Sequence, residues 1–162
     1  MRRLAYASLM YVTFAYRLSD RYTEPAFDDL SQITEGILRN SLFCADIGII
    51  VGDSDLSANW GWIPVLDFPA VLMYSLGKIA ESGRSELDFT ETAETIRLSL
   101  DGARLTVDSS FTDAIATCDY AEWQIATSEF VRRVIAELRE SNSIVGGSKA
   151  FEELEERINA LH

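Results

Sequence analysis

The segment TIRLSLDGARLTV, Thr95 to Val107, decides the fold class. Asp101-Gly102 is a strong two-residue hairpin signal, and the residues on either side alternate between apolar and polar. Pairing outward from an Asp101-Gly102 turn sets Leu100 opposite Ala103, Leu98 opposite Leu105 and Ile96 opposite Val107. Arg97 then faces Thr106 and Ser99 faces Arg104 on the wet side. The preceding SELDFTE alternates in the same way with Leu87 and Phe89 inward, and AIATC after the hairpin reads as a short last strand. The expectation is an antiparallel meander of three or four strands.

Upstream, residues 4 to 18 are dense in tyrosine, valine, phenylalanine and threonine and read as a long strand, apolar on both faces. Phe27, Leu30, Ile33 and Ile37 recur at helical spacing, which predicts one helix through AFDDLSQITEGILRN. SLFCADIGIIVGD reads as a further strand that ends in the turn-forming cluster GDSDLSAN. In DFPAVLMYSL, Pro69 suits the first turn of a helix and pushes Phe68 toward an extended conformation, with Asp67 at the helix's positive end. The inward stripe Val71, Leu72, Ser75, Leu76 and Ile79 predicts a core helix over 69–82 that stops at Gly83.

Downstream, Asp119 and Glu122 have the spacing of a capping box. They open a long helix whose inner face is Trp123, Phe130, Val131, Val134, Ile135 and Leu138. Glu129, Arg133 and Glu137 are four apart and predict a solvated ladder on the opposite face. After NSIVGGS, a hinge, a short amphipathic helix carries Phe151, Leu154, Ile158 and Leu161. The fold class expected from these elements is α+β: a mostly antiparallel sheet of five to six strands, helices on one face, and a C-terminal helical pair. Residues 1–162 form one domain in this reading, with 143–162 a short helical appendage. A chain of 162 residues, 48% hydrophobic, is long enough to bury its own core.

Charge narrows the partners. There are 26 acidic against 14 basic side chains, a formal net charge of −12. Such a chain repels the phosphates of nucleic acid and anionic lipid and favours a basic protein partner. The opening MRRLAYASLMYVTFAYRL imitates a signal peptide, but its tyrosines and the lack of a small-x-small site argue against one. No apolar run reaches membrane-span length. Cys44 and Cys118 lie among apolar or small residues without CxxC spacing, so both are expected as buried thiols in a cytoplasmic protein.

The single histidine is His162, which leaves imidazole-dependent catalysis and histidine-ligated metals nearly without material. No phosphate-binding loop motif occurs, and serine and cysteine have no evident activating base. No catalytic residue, cofactor or metal ligand is therefore assigned. Carboxylates occur at Asp28-Asp29, at Asp53 and Asp55, at Glu86 and Asp88, and through Glu152 to Glu156. GDSDLSAN opens like a calcium loop but brings tryptophans where the last glutamate belongs. Trp60 and Trp62, with Gly61 between them, share one face of an extended segment. Beside the Asp53-Asp55 loop they have the composition of a binding hot spot, although a role in covering the core edge explains them too.

The order IPVLDFPAVL, LDFTET, IRLSLDGARLTV and FVRRVIAEL, over roughly residues 62 to 140, resembles a pattern in small acidic bacterial proteins, several families of which are immunity proteins for secreted toxins. The resemblance implies an α+β, non-enzymatic neutraliser of a cognate toxin. The expected function is accordingly an immunity or antitoxin-like protein that occludes the active site of a basic toxin, a nuclease for example. Asp53, Asp55, Trp60 and Trp62 are the expected contacts, and Glu86 and Asp88 a second patch. Two other classes stay open: a carboxylate-based enzyme or ligand-binding protein, and a structural subunit that self-associates through its C-terminal helix.

Overall fold

The computed structural model describes residues 11–20, 27, 29–89 and 92–161. The signal-like opening, the first part of the expected strand over 4–18 and His162 lie outside the described residues. In chain order the elements are β1 (Val12–Leu18), a 3-10 turn (Leu30–Gln32), α1 (Glu35–Asn40), β2 (Cys44–Val51), β3 (Ser54–Asp55), β4 (Ala58–Pro64) and α2 (Asp67–Ser82). They continue with β5 (Arg84–Asp88), β6 (Thr95–Asp101), β7 (Arg104–Ser109), β8 (Ile115–Asp119), α3 (Tyr120–Ser141), α4 (Ser143–Gly146) and α5 (Lys149–Asn159).

The class is α+β, but the strands form two four-stranded antiparallel sheets instead of one sheet of five to six. In the first, β2 is central. It pairs with β1 along one side, and on the other with β3 at its Ile50–Val51 end and β4 at its Cys44–Ile47 end. The second is the expected meander, β5-β6-β7-β8. Between β4 and β5 the chain runs through α2, and that helix packs on β5 and on α3. Strand periodicity marks β1, β2 and the meander, whereas β3 falls inside the segment expected as a turn cluster; the choice of neighbour depends on this intervening helix.

The hairpin turns one residue later than the sequence suggests. Asp101 pairs with Arg104, Leu100 with Leu105, Leu98 with Val107 and Ile96 with Ser109, so Gly102-Ala103 are the two turn residues. Gly102 has φ +61 and Ala103 does not share that conformation, which fits a type II′ turn with glycine first. Moving the turn by one residue changes each partner by two, and a shift of two preserves which face each side chain occupies. Ile96, Leu98, Leu105 and Val107 are consequently all buried, as expected.

Three helical expectations change. The stripe from Phe27 to Ile37 is not one helix: Ile33 is extended (φ −85, ψ 108), and Thr34 caps a separate α1 through the Ile37 N–H. Phe68 is helical, because α2 begins at Asp67 and Pro69 still falls in the first turn, where an N–H is not required. Asp119 is the N-cap of α3 but makes no side-chain capping bond. It ends β8 opposite Arg104, and the Tyr120 N–H donates to the Ala103 carbonyl instead.

The stripe of α3 is buried as read, with Thr127 added to it. Glu129, Arg133 and Glu137 are exposed as read, but the last two also bond to another element. Arg133 donates to the Phe14 carbonyl at 2.7 Å, and Glu137 accepts from the Tyr16 hydroxyl at 2.7 Å, so both tie α3 to β1. An aromatic chain continues from there across the molecule. Phe14 packs on Trp123, Phe130 and Phe68, and Phe68 stacks on Phe89, just after β5. Phe151, Leu154 and Ile158 of α5 enter the same buried cluster, whereas Leu161 is left 39% exposed.

Candidate functional site

Two of the concave surfaces on this frame bear on the expected contacts. The first surrounds the tryptophans. Trp60 and Trp62 lie on β4 with Gly61 between them at φ +73, a backbone conformation that a side chain would strain. The indoles stack with centroids 5.1 Å apart and 12° between planes. Trp60 is the inner ring and meets Phe89 and Phe111 edge-on at 5.1 and 4.8 Å. Both are half-buried, so the pair closes the edge of the core and also shows a face to the outside. That face lines a cleft of about 400 Å³ with Arg17, Asp20, Asp46 and Asn59. Arg17 and Asp46 form an ion pair at 2.8 Å.

The acidic loop expected beside the tryptophans is not there. Asp53 occupies the turn between β2 and β3, and Asp55 pairs opposite Ile50. Trp60 and Trp62 fall between the Ala58 and Ile63 rungs, which pair with Ile47 and Ala45 at the other end of β2. At about 3.3 Å per residue the two groups are roughly 13–20 Å apart along that strand. Asp55 is also engaged locally, accepting the Ser57 N–H at 2.9 Å. Hydrogen bonds from the Ser57 side chain and backbone hold its carboxyl below the usual range. The carboxylates that do stand near the indoles are Asp46 and Asp20.

The second surface is a groove of about 270 Å³ between α2, α5, α1 and β5. Ala70 and Val71 of α2 and Leu154 and Ile158 of α5 supply its apolar lining. Tyr74, 56% exposed, and Leu161 extend that surface to the outside. Glu86 and Asp88 border it from β5, so the second expected patch lies on the more apolar of the two concavities. At the α1 end, Arg39 reaches Asp67 at 2.7 Å and Glu35 at 3.6 Å, and Arg157 reaches Glu35 at 2.6 Å. Both guanidiniums are thereby paired. Among the described residues Glu86 and Asp88 have no ion-pair partner, because Arg97, opposite Glu86 on β6, pairs with Asp108 at 3.3 Å.

Glu35, Arg39, Tyr74 and Arg157 are site residues that sequence reasoning did not find. The four-residue spacing of Glu35 and Arg39 and the tyrosine interrupting an apolar helix were available signals. The pairing of Arg157 with Glu35 spans 122 positions and leaves no local trace. Among the described residues no three histidine, cysteine, aspartate or glutamate side chains are grouped to hold a metal ion. Nor is any helix there long and apolar enough to cross a membrane. An apolar floor beside open carboxylates can hold a cationic amphipathic group, its stem on the floor and its charge at the rim. No family model, curated protein or solved structure matches this chain.

Proposed function

We propose that this protein acts by binding: it docks an acidic, partly aromatic exterior on a basic protein and covers that partner's working surface, as an immunity protein or antitoxin does. The observation that carries the reading is the groove beside β5, where an apolar lining meets two carboxylates with no ion-pair partner among the described residues. Complementary charge of this kind speeds encounter and makes it sensitive to salt. The tryptophan cleft, with Trp62 outermost, is the second contact surface, and Asp53 and Asp55 form a separate acidic point on the far end of β2. The partner in this reading is a toxin domain in the cytoplasm, a nuclease being one basic example.

The test is co-expression with the product of the neighbouring reading frame. If that product is a basic toxin, this protein should restore growth and form a complex whose affinity falls as salt is raised. A basic neighbour that is toxic and forms no complex even at low salt would remove the reading. A second reading, a small-ligand protein, draws on Arg39, Arg157 and Tyr74 around the same groove, whose volume lies just under the roughly 300–1,000 Å³ of ligand pockets. A thermal shift with metabolites or divalent ions and none with the neighbouring product would favour it.

A further inference from the structure

We infer that the outer edge of β5 is a strand-addition site, and that its occupant is an extended segment of the basic partner in which lysine or arginine alternates with apolar residues. The inference rests on the binding reading above and specifies how the partner is held.

The backbone supplies the first argument. β5 is the end strand of its sheet and, among the described residues, pairs only with β6. The Gly83 carbonyl accepts the Leu100 N–H at 2.8 Å, in line with the register that sets Arg84 opposite Ser99. In an antiparallel ladder the residues that exchange bonds alternate with those that do not. The Gly83 carbonyl and the N–H and C=O groups of Ser85 and Leu87 therefore turn toward β6, while the Gly83 N–H donates to the Ile79 carbonyl as the cap of α2. Arg84, Glu86 and Asp88 turn theirs outward; the Arg84 carbonyl already accepts the Ser82 hydroxyl at 3.0 Å, which leaves the Arg84 N–H and the Glu86 and Asp88 groups for an added strand.

Side chains choose the occupant. Leu87 is sealed inside while Arg84, Glu86 and Asp88 are exposed. A strand laid on this edge continues the same alternation, one set of side chains on the Leu87 side and the other beside Glu86 and Asp88. The groove along this edge is lined by Ala70, Val71, Leu154 and Ile158 together with Glu86 and Asp88, so apolar residues of the added strand fit its floor. Glu86 and Asp88, without ion-pair partners among the described residues, accept its cations. The ordinary use of charge on an edge strand is to discourage pairing. That use acts against a second copy of this chain, since pairing about Glu86 sets the carboxylate against itself, and it does not act against a cationic strand.

The experiment is titration of the full chain with an end-blocked peptide of alternating lysine and valine, about six residues long like an ordinary strand, followed by NMR amide exchange. The expected result is binding with slowed exchange at the Arg84, Glu86 and Asp88 amides. N-methylation of alternate peptide residues should abolish binding. Glu86→Pro, which removes an outward N–H and no bond to β6, should weaken it roughly tenfold. E86K together with D88K should do the same, with far-UV circular dichroism reporting retention of the fold. Absence of peptide binding, undiminished binding of the N-methylated peptide, or protection of these amides by self-association without peptide would each overturn the inference. Binding with shifts confined to the Trp60 and Trp62 indoles would overturn it and leave the wider binding reading in place. Loss of that reading is instead decided by co-expression.

Discussion

Cys44 and Cys118 look alike in sequence, each set among apolar or small neighbours, yet they occupy different environments. Cys118 is buried and Cys44 is half-buried, so the expectation of two buried thiols holds for one. Burial pushes the Cys118 thiol up to about 11, and the Glu122 and Asp119 carboxylates add to the shift. It stays neutral and sealed around pH 9.0, where a free thiol is about half ionised. A thiol-titrating reagent at that pH should modify Cys44 alone in the native protein, and Cys118 only after denaturant is added. Two rapidly reacting thiols without denaturant would contradict this. Gly102 carries the same lesson: Asp101-Gly102 marked a hairpin correctly, but local composition did not choose between two adjacent placements of the turn. The face assignment survived because strand periodicity is two.

At the scale of elements, α1 is short and is held by its partners more than by its own propensity. Arg39 joins it to the first turn of α2, with Nε and a terminal nitrogen both on one Asp67 oxygen at 2.8 and 2.7 Å. Asp67 is only 7% exposed, so its carboxylate depends on neighbours more than a surface carboxylate does. Arg39→Ala should lower stability by about 2 kcal/mol, in line with hydrogen bonds to charged groups. The midpoint of urea unfolding reports it, and Arg17→Ala, which removes a surface ion pair, should leave that midpoint in place. An unchanged midpoint for Arg39→Ala would show the contact to be worth nothing. The stripe of α3 was legible because six apolar residues, all buried, recur at helical spacing, while Thr127 among them was not read. The destination of Arg133 and Glu137 was not, since it depends on where β1 lies.

For the molecule as a whole, three groups tie stability to alkaline pH. Burial raises the Cys118 thiol and the Tyr16 and Tyr120 phenols above their ordinary values, and the Glu137 hydrogen bond adds to the effect on Tyr16. Each remains protonated in the fold at a pH where the unfolded chain has released its proton. The stability they contribute is therefore complete below the unfolded values, from 9.0 for Cys118 to 10.0 for the tyrosines, and is lost as pH rises toward the folded ones. Melting temperature should fall from pH 9 upward, and Tyr16→Phe should make that fall shallower. A melting temperature flat between pH 9 and 11, or a Tyr16→Phe profile parallel to the parent's, would refute the assignment.

The α+β class, the meander with its buried face, the core stripes of α2 and α3 and the acidic character of the surface are all written in the order of residues. Each of these follows from a period of two or 3.6 residues or from composition, which act over a few neighbouring positions. Packing alone divides the strands into two sheets, sets Asp53 and Asp55 apart from the tryptophans, and closes Arg157 on Glu35. It also sets an outward-facing edge of β5 beside an apolar groove. These are contacts between distant parts of the chain, selected by how whole faces pack together, and no local pattern of residues encodes them.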